Sequence, residues 1–277
     1  VTSALARFAR DRAALVAAFL LLGLALAAAA APLLWPVDPD AVDGPPLLRP
    51  FLDPAHPLGT DRLGRDVLAR LLYGARLSLT VAVAAAVASL VLGAAVGLAA
   101  GLVGGRIDDL LMRITDAFQT VPGFLLALAF VSVFGPDARS VVLAIAASAW
   151  TGPARLIRAE IVALRGRDFV LAAIVAGLPR RDVALRVLLP NALPPVVAYA
   201  AVSVASAVLI EAALSFLGLA DPNRASWGAM IAEGRAVLVS EPWLSIVPGL
   251  ALLSTVLAVN LVGEGLNEAL APRRARP

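Results

Sequence analysis

Residues 77–105 read LSLTVAVAAAVASLVLGAAVGLAAGLVGG, 29 residues without one charged side chain. A helix that crosses a bilayer needs about 20 mostly apolar residues, because ~30 Å of hydrocarbon is covered at ~1.5 Å per residue. This stretch is long enough, and it has company. Charge-free runs also occupy 13–36 (24 residues), 117–136 (20), 140–154 (15), 187–210 (24) and 242–263 (22). Only 140–154 falls short. It must extend to Leu156, Ile157 and Ile161, with Arg155 and Arg158 reaching toward the headgroups.

Composition agrees with lipid as part of the solvent. Of 277 residues, 60% are hydrophobic and 16% charged, with a mean hydropathy of +0.88. A soluble domain runs nearer half apolar and a quarter charged. This excludes an ordinary cytosolic enzyme, a disordered chain and a nucleic-acid module. The pI near 10.4 does not point to nucleic acid, because the net charge is only +3. All 23 basic residues are Arg, Cys is absent, and the single His is His56. There is therefore no disulfide frame, no thiolate zinc site and no Cys nucleophile.

Arg placement orients the chain. Six spans put segments 1–12, 104–116, 155–186 and 264–277 on one side, and these hold 15 of the 23 Arg. The Arg-rich side is expected to be cytoplasmic. The expectation is an all-α integral membrane protein with six transmembrane helices at 13–35, 77–105, 117–135, 139–157, 192–219 and 243–263, and both termini cytoplasmic. If 140–154 did not cross, the seven Arg of 155–186 would lie outside. The first span has a rival. Arg7, Arg10 and Arg12 precede an apolar run ending in small residues at 27–31, as in a signal peptide, but the run exceeds the ~7–15 residues usual there. A retained helix is the better reading.

Three segments lie outside the expected spans. The outer segment 36–76 starts rich in Pro and Asp and is expected to end in an amphipathic helix from Asp61 to about Arg76. A short cytoplasmic loop occupies 106–116 and a longer one 158–191; 220–242 is outside, and 264–277 forms the cytoplasmic tail. Within 77–105, Gly93, Gly97, Gly101 and Gly105 recur every fourth residue. Such residues stack on one helix face and let another helix approach closely. A packing face is favoured over a conduit wall.

Absences narrow the chemistry. A Walker A loop needs a Lys to reach the terminal phosphates, and this chain has none. It cannot be a P-loop ATPase by itself. With one His there is no H-E-x-x-H, and no G-x-S-x-G elbow appears, so no catalytic residue and no metal ligand set can be nominated. Glu211 is the only acid deep in a predicted span. A central charge costs about 2.5–3.5 kcal/mol on insertion scales, which makes it a functional candidate by default. Structural glue between helices is the favoured role, since a proton-coupled carrier wants a relay of such groups.

Segment 168–191 reads DFVLAAIVAGLPRRDVALRVLLPN. Asp168 is expected to cap a helix that stops near Leu178, because Pro179 has no N–H and clashes with the preceding turn. Asp182 is expected to cap a second helix that ends before Pro190. Small residues Ala172, Ala173, Ala176 and Gly177 beside Arg180 and Arg181 suit docking into a partner's groove; a plain solvated loop is the alternative.

Here the chain resembles the inner-membrane permeases of binding-protein-dependent ABC importers, whose EAA loop runs E-A-A-x3-G-x9-I-x-L-P. Ala172, Ala173, Gly177, Leu189 and Pro190 match in register. Leu171 stands in place of the Glu and Val187 in place of the Ile. H-P-L-G-T-D at 56–61, G-R-D at 64–66 and G-A-R-L-S-L at 74–79 resemble the outer segment of dipeptide, oligopeptide and nickel permeases of the C type. E-A-A-L-S-F-L-G-L at 211–219, S-W-G at 226–228, P-W at 242–243 and P-G at 248–249 continue the likeness, and so does the tail at 263–273. There Asn267 and Ala271 replace the group's usual Arg and Asp. His56 sits in the first of these patterns, where a turn residue is favoured over a metal ligand.

The resemblance implies a type I ABC importer permease fold, with the permease domain at about 75–277. It implies a second permease completing the pore, two ATPase subunits that carry ATP and Mg, and an external binding protein that delivers substrate. This chain itself would bind no cofactor and no nucleic acid. An ion-gradient-driven carrier or channel is the second hypothesis, and a membrane enzyme a third that lacks any nucleophile–base pair. Peptides, nickel chelates and related solutes all fit such a permease.

Overall fold

Side-chain caps decide where four of the helices begin in the computed structural model, which describes residues 6–270. Asp11 accepts from the N–H groups of Ala13 and Ala14 (3.0 and 3.1 Å) at the head of α1 (Arg12–Ala29), and a single further turn, α2 (Ala31–Leu34), follows. Asp66 accepts from Ala69 at 2.6 Å and opens α3 (Val67–Val103). Such a carboxylate satisfies N–H groups that have no partner inside the helix.

Breaks are equally local. Gly104 and Gly105 have φ of +68° and +56°, which ends α3 and starts α4 (Gly105–Thr120). Val121 precedes Pro122 and is held extended (φ −95°, ψ 128°), as the proline ring requires of its neighbour. The chain therefore turns 84° into α5 (Gly123–Phe134). Asp137 caps α6 (Ala138–Ala149), and α7 (Thr151–Arg165) follows at a 43° bend. Pro153 accounts for that bend by removing the N–H that would meet the carbonyl of Ala149. Next come α8 (Asp168–Val175), α9 (Arg180–Asp182), a π turn (Val183–Leu188) and α10 (Leu189–Phe216). Ser226 caps α11 (Trp227–Arg235), and α12 (Trp243–Leu270) completes the described chain.

Among the described residues, four stretches are long and apolar enough to cross a bilayer: Arg12–Ala29, Val67–Val103, Arg180–Phe216 and Trp243–Leu270; the number rises to six if each bent pair is one span. α3 is the hub. It packs along α7, α6 and α10, while α10 packs on α12 and α12 on α1. Ala82, Ala85, Val131, Ile145, Val208 and Leu214 fill the centre.

Several expectations need correction. No separate amphipathic helix runs over 61–76; α3 begins at Val67 and passes unbroken into the lipid-length run. Residues 106–116 are helix rather than loop, and 117–135 is no straight span, because Pro122 puts a corner inside it. Residues 139–157 are likewise split between α6 and α7 at the bend. Arg155 and Arg158 pair with carboxylates of α4. Arg158 grips Asp108 with two nitrogens, Nη2 at 2.7 Å from Oδ2, and Arg155 pairs with Asp116. Gly105 is not on the glycine face. The other three are: a Cβ would stand 2.5 Å from Trp150 O at Gly93, 2.3 Å from Ala154 O at Gly97 and 2.8 Å from Ile161 Cβ at Gly101. α3 thus meets α7 nearly backbone to backbone. Ala271 and the rest of the tail to 277 lie outside the described residues.

The outer segment folds around its own polar side chains. His56 Nδ1 lies 2.9 Å from Asp66 Oδ2 and is buried, so the lone His braces the α3 cap. Leu48 donates to Thr60 Oγ1 at 3.0 Å, and that hydroxyl donates to the carbonyl of Pro45. Asp61 accepts from the N–H groups of Leu63 and Arg65 (2.8 and 3.0 Å) and from Arg65 Nε at 2.7 Å.

A candidate coupling surface

α8 is held to the bundle by one side chain. Val170 is fully buried and packs with Ile157 and Ile161 of α7 and Val183 and Leu188 of the π turn. The rest of the helix looks outward: Phe169, Leu171, Ile174 and Val175 are exposed, Val175 by 88%. Its start differs from expectation. Arg167 occupies the cap position with extended backbone and no side-chain bond, and Asp168 is the first helical residue. There its charge favours the helix N-terminus through the dipole rather than by capping.

The helix ends at Val175, three residues before Leu178. Gly177 adopts φ +85°, its N–H donates to Ile174 O at 3.0 Å, and the Leu178 N–H donates to Ala173 O at 3.2 Å. This is a Schellman closure, which needs a left-handed residue and so explains the glycine. Pro179 then starts α9, where Arg180 and Arg181 are exposed.

The expected second helix does not stop before Pro190, and Asp182 caps nothing. Its side chain instead lies 3.6 Å from Arg186 Nε. The backbone runs helically from Arg180 to Phe216. Pro190 is accommodated because the preceding turn widens to π geometry, and Pro190 then falls in the first turn of α10, where a missing N–H is harmless. Asn191 Nδ2 donates to Val187 O at 2.6 Å. Ala172, Ala173, Gly177, Arg180 and Arg181 share one exposed end of the molecule; Leu189 and Pro190 sit at the entrance to α10. The result is a short helix with apolar residues facing out, rimmed by guanidinium groups. Each such side chain contributes about 1.5–3 kcal/mol if a partner buries it fully.

Residues 89–276 match the family described as "Binding-protein-dependent transport system inner membrane component". Residues 2–54 match the "N-terminal TM domain of oligopeptide transport permease C". The chain belongs to this permease family.

Individual relatives agree. The permease is 36% identical over 269 residues to the oligopeptide transport system permease protein OppC of Haemophilus influenzae, covering 96% of this chain and 86% of that one. It is 39% identical over 272 residues to the di/tripeptide transport system permease protein DppC of Pseudomonas aeruginosa, covering 96% and 90%. Among solved structures, inward-facing conformations of the MetNI methionine ABC transporter match with a TM-score of 0.62 at 17% identity, covering 74% of this chain and 98% of that one. The fold is that of an ABC importer permease. The permease is a multi-pass membrane subunit without catalysis of its own, and hydrolysis of ATP belongs to separate subunits of such importers. Its family works with a partner permease, ATPases and a substrate-binding protein. Neither the family nor these relatives support an ion-gradient carrier.

Two polar features lie away from α8. Glu211 on α10 is 2% exposed; Ser215 Oγ donates to its Oε1 at 2.7 Å, while Oε2 and the nearby Ser78 Oγ of α3 have no hydrogen-bond partner. At the outer end, Arg70 of α3 joins Asp61 and Glu233 of α11, and Trp227 Nε1 donates to Leu71 O at 3.1 Å. Burial alone would raise the Asp61 carboxyl, but N–H donors from Arg65 and Leu63 and the Arg65 guanidinium outweigh it and hold it below the usual carboxylate value. Neither Arg70 nor Glu233 stood out in the sequence, since nothing local links an Arg on one helix to a Glu so far along the chain.

Proposed function

We propose that this permease and a second permease subunit form the pore of an ATP-driven importer in a bacterial inner membrane, and that the cargo is a di- or oligopeptide or a related small solute such as a nickel chelate. The names of the relatives support the peptide class. In this reading each bent helix pair is one span, giving six spans with both termini in the cytoplasm. The Arg bias supports that orientation.

The observation that carries the reading is α8, a short helix anchored by Val170 alone with its other apolar side chains turned outward. Two ATPase subunits, holding ATP and Mg, grip the region 168–190 from the cytoplasm, contacting Asp168, Ala172, Ala173, Gly177, Arg180, Arg181, Leu189 and Pro190. A binding protein delivers cargo at the opposite face. Leu171 stands where the EAA loop pattern has its Glu and adds apolar contact instead. Glu211 acts as structural glue, and Gly93, Gly97 and Gly101 act as the α3–α7 packing face.

The native chain has no Cys, so single substitutions report position cleanly. Arg181→Cys is expected to label only from the cytoplasm and Arg224→Cys only from outside. Val175→Cys is expected to cross-link to an ATPase subunit in the assembled transporter. Labelling of Arg181→Cys from outside would overturn the orientation, and cross-linking of Val175→Cys to lipid alone would overturn the docking surface.

A further inference from the structure

The outer segment, the outer ends of α3 and α6, and the turn at 221–225 enclose an open cleft of about 930 Å³. Its floor is apolar: Leu77, Val81, Ala84, Val142 and Leu143. Its rim carries Arg76, Arg139, Arg224 and Asp40. These groups are unusually free. The side chain of Arg76 makes no hydrogen bond or ion pair among the described residues, and that of Arg139 has only an electrostatic attraction to Asp137 two residues away. Arg224 is 66% exposed and lies 3.6 Å from Asp221. The Asp40 carboxylate is 48% exposed, with only a 4.0 Å contact to Arg65. The arginines of the outer network, by contrast, are engaged by Asp61 and Glu233.

We propose that this cleft is a subsite for the charged ends of a peptide, with Arg76, Arg139 and Arg224 taking the terminal carboxylate and Asp40 the terminal ammonium. The inference rests on the peptide-import reading and deepens it. Charges of both signs beside an apolar floor suit a zwitterion. A low-dielectric wall strengthens attraction at such a rim, and guanidinium matches carboxylate geometry in a fork. A ligand site of this size is ordinary for a small molecule, for which pockets run about 300–1,000 Å³. Among the lining residues, Thr80, Tyr73 and Asn223 are the uncharged polar side chains offered to the cargo's own side chains. A site that reads the two ends and leaves the middle to apolar contact accepts many sequences. An anionic lipid phosphate shares the carboxylate's chemistry but has no use for Asp40.

The test uses the assembled transporter, without its binding protein, in phosphatidylcholine nanodiscs. Ligand-observed saturation-transfer NMR compares trialanine, trialanine amide and N-acetyl-trialanine. Trialanine is expected to bind at least about tenfold more tightly than either blocked form, the scale of one lost bond to a charged group. Arg76→Gln/Arg139→Gln is expected to lose about the same factor for trialanine and to leave the amide unchanged. Asp40→Asn is expected to weaken trialanine but not N-acetyl-trialanine. All these side chains are exposed, and co-purification of the other subunits verifies assembly. Equal binding of trialanine and its amide would overturn the subsite. So would trialanine binding that the double variant leaves intact, or a loss of binding on adding phosphatidylglycerol that the double variant abolishes, which assigns the guanidiniums to lipid. Trialanine import by the parent transporter with its binding protein tests the peptide reading separately. Normal import with binding blind to the termini sinks the subsite alone.

Discussion

Arg70 and Glu233 stand 163 residues apart in the chain, yet Arg70 Nη2 meets Glu233 Oε1 at 3.0 Å. Arg70 also donates to Asp61 Oδ2 at 2.7 Å, and Arg65 Nη2 to Glu233 Oε2 at 2.7 Å. One cluster therefore fastens the outer segment, α3 and α11. The Arg70 side chain is 4% exposed and that of Glu233 41%. Arg70→Ala leaves Asp61 and Glu233 with Arg65 as their remaining guanidinium partner, and is predicted to lose about 1.5–3 kcal/mol, the worth of a hydrogen bond to a charged group. Glu233→Gln, screened by water, is predicted to lose about 1 kcal/mol or less. Thermal unfolding of the assembled transporter measures both; equal losses would mean that burial does not set the hierarchy.

The α3–α7 contact predicts a contrast between glycines. A Cβ at Gly97 would lie 2.3 Å from the carbonyl of Ala154, whereas Gly23 has open space around it. Gly97→Ala is predicted to cost at least about 1–3 kcal/mol, the usual range for overpacking. Gly23→Ala is predicted to be neutral or to gain up to about 1 kcal/mol from helix propensity. Unfolding temperatures of the two variants decide it; a harmless Gly97→Ala would show that the helices can part freely.

On the coupling surface, Val175→Asp is predicted to insert normally and to lower uptake at least tenfold, with loss of ATPase co-purification. Each buried aliphatic side chain is worth about 1.5–3 kcal/mol, and a carboxylate there must be desolvated as well. Gly177→Arg is predicted to abolish transport too, but its φ of +85° adds backbone strain, so Val175→Asp is the cleaner probe. Uptake and co-purification at parental levels in Val175→Asp would remove α8 from the interface.

Glu211→Gln is predicted to lower transport only modestly. The amide keeps an acceptor for Ser215 and points a donor toward the unpartnered Ser78 hydroxyl. Glu211→Leu, which takes the acceptor away from the Ser215 hydroxyl, is predicted to cost about 1–3 kcal/mol of stability. Uptake assays in proteoliposomes separate the roles: complete loss in a well-assembled Glu211→Gln transporter would make the carboxylate functional.

Asp61 gives a pH dependence. Its pKa is lowered from 3.8 on folding, so its contribution is complete above that value and disappears as pH falls through the lower folded value. The outer segment is predicted to hold from neutral pH down to about 4 and to loosen only below it. Limited proteolysis across 37–66 against pH checks this. In Asp61→Asn the acid-specific step should vanish; its persistence would assign the transition to other carboxylates.

How much was visible beforehand depends on what each residue type reports. Charge-free runs located the lipid-length segments, because length separates a bilayer helix from other apolar stretches. They did not locate helix ends. Arg76 marks the limit of the charge-free run and a separate amphipathic helix is expected before it, yet the backbone runs unbroken from Val67 through that limit, since a charged turn can be as helical as an apolar one. Pro122 was plain in the sequence, but an apolar count over 117–136 cannot register a corner of 84°. Pro190 misled, because a breaker rule assumes α geometry, and the π turn before it relieves the clash. Within DFVLAAIV, composition alone does not say that Val170 turns inward and Val175 outward, as nearly every position is apolar. The matched residues of the loop were recognisable by spacing, while the Arg70–Glu233 join had no local signature.

α3 and α7 meet at Gly93, Gly97 and Gly101 with almost nothing between their backbones. Two helices fused in this way behave as a single beam. One end of it continues, through residues 166–167, into α8. Toward the other end, roughly 35–40 Å away along α3 at ~1.5 Å per residue, Arg76 and Thr80 stand on the wall of the cleft. If α8 docks the ATPase and the cleft takes cargo as proposed, tilt applied at either end reappears at the other, and nucleotide and cargo are geared together. By reciprocity, a solute seated outside loads the engine inside as surely as the engine displaces the solute.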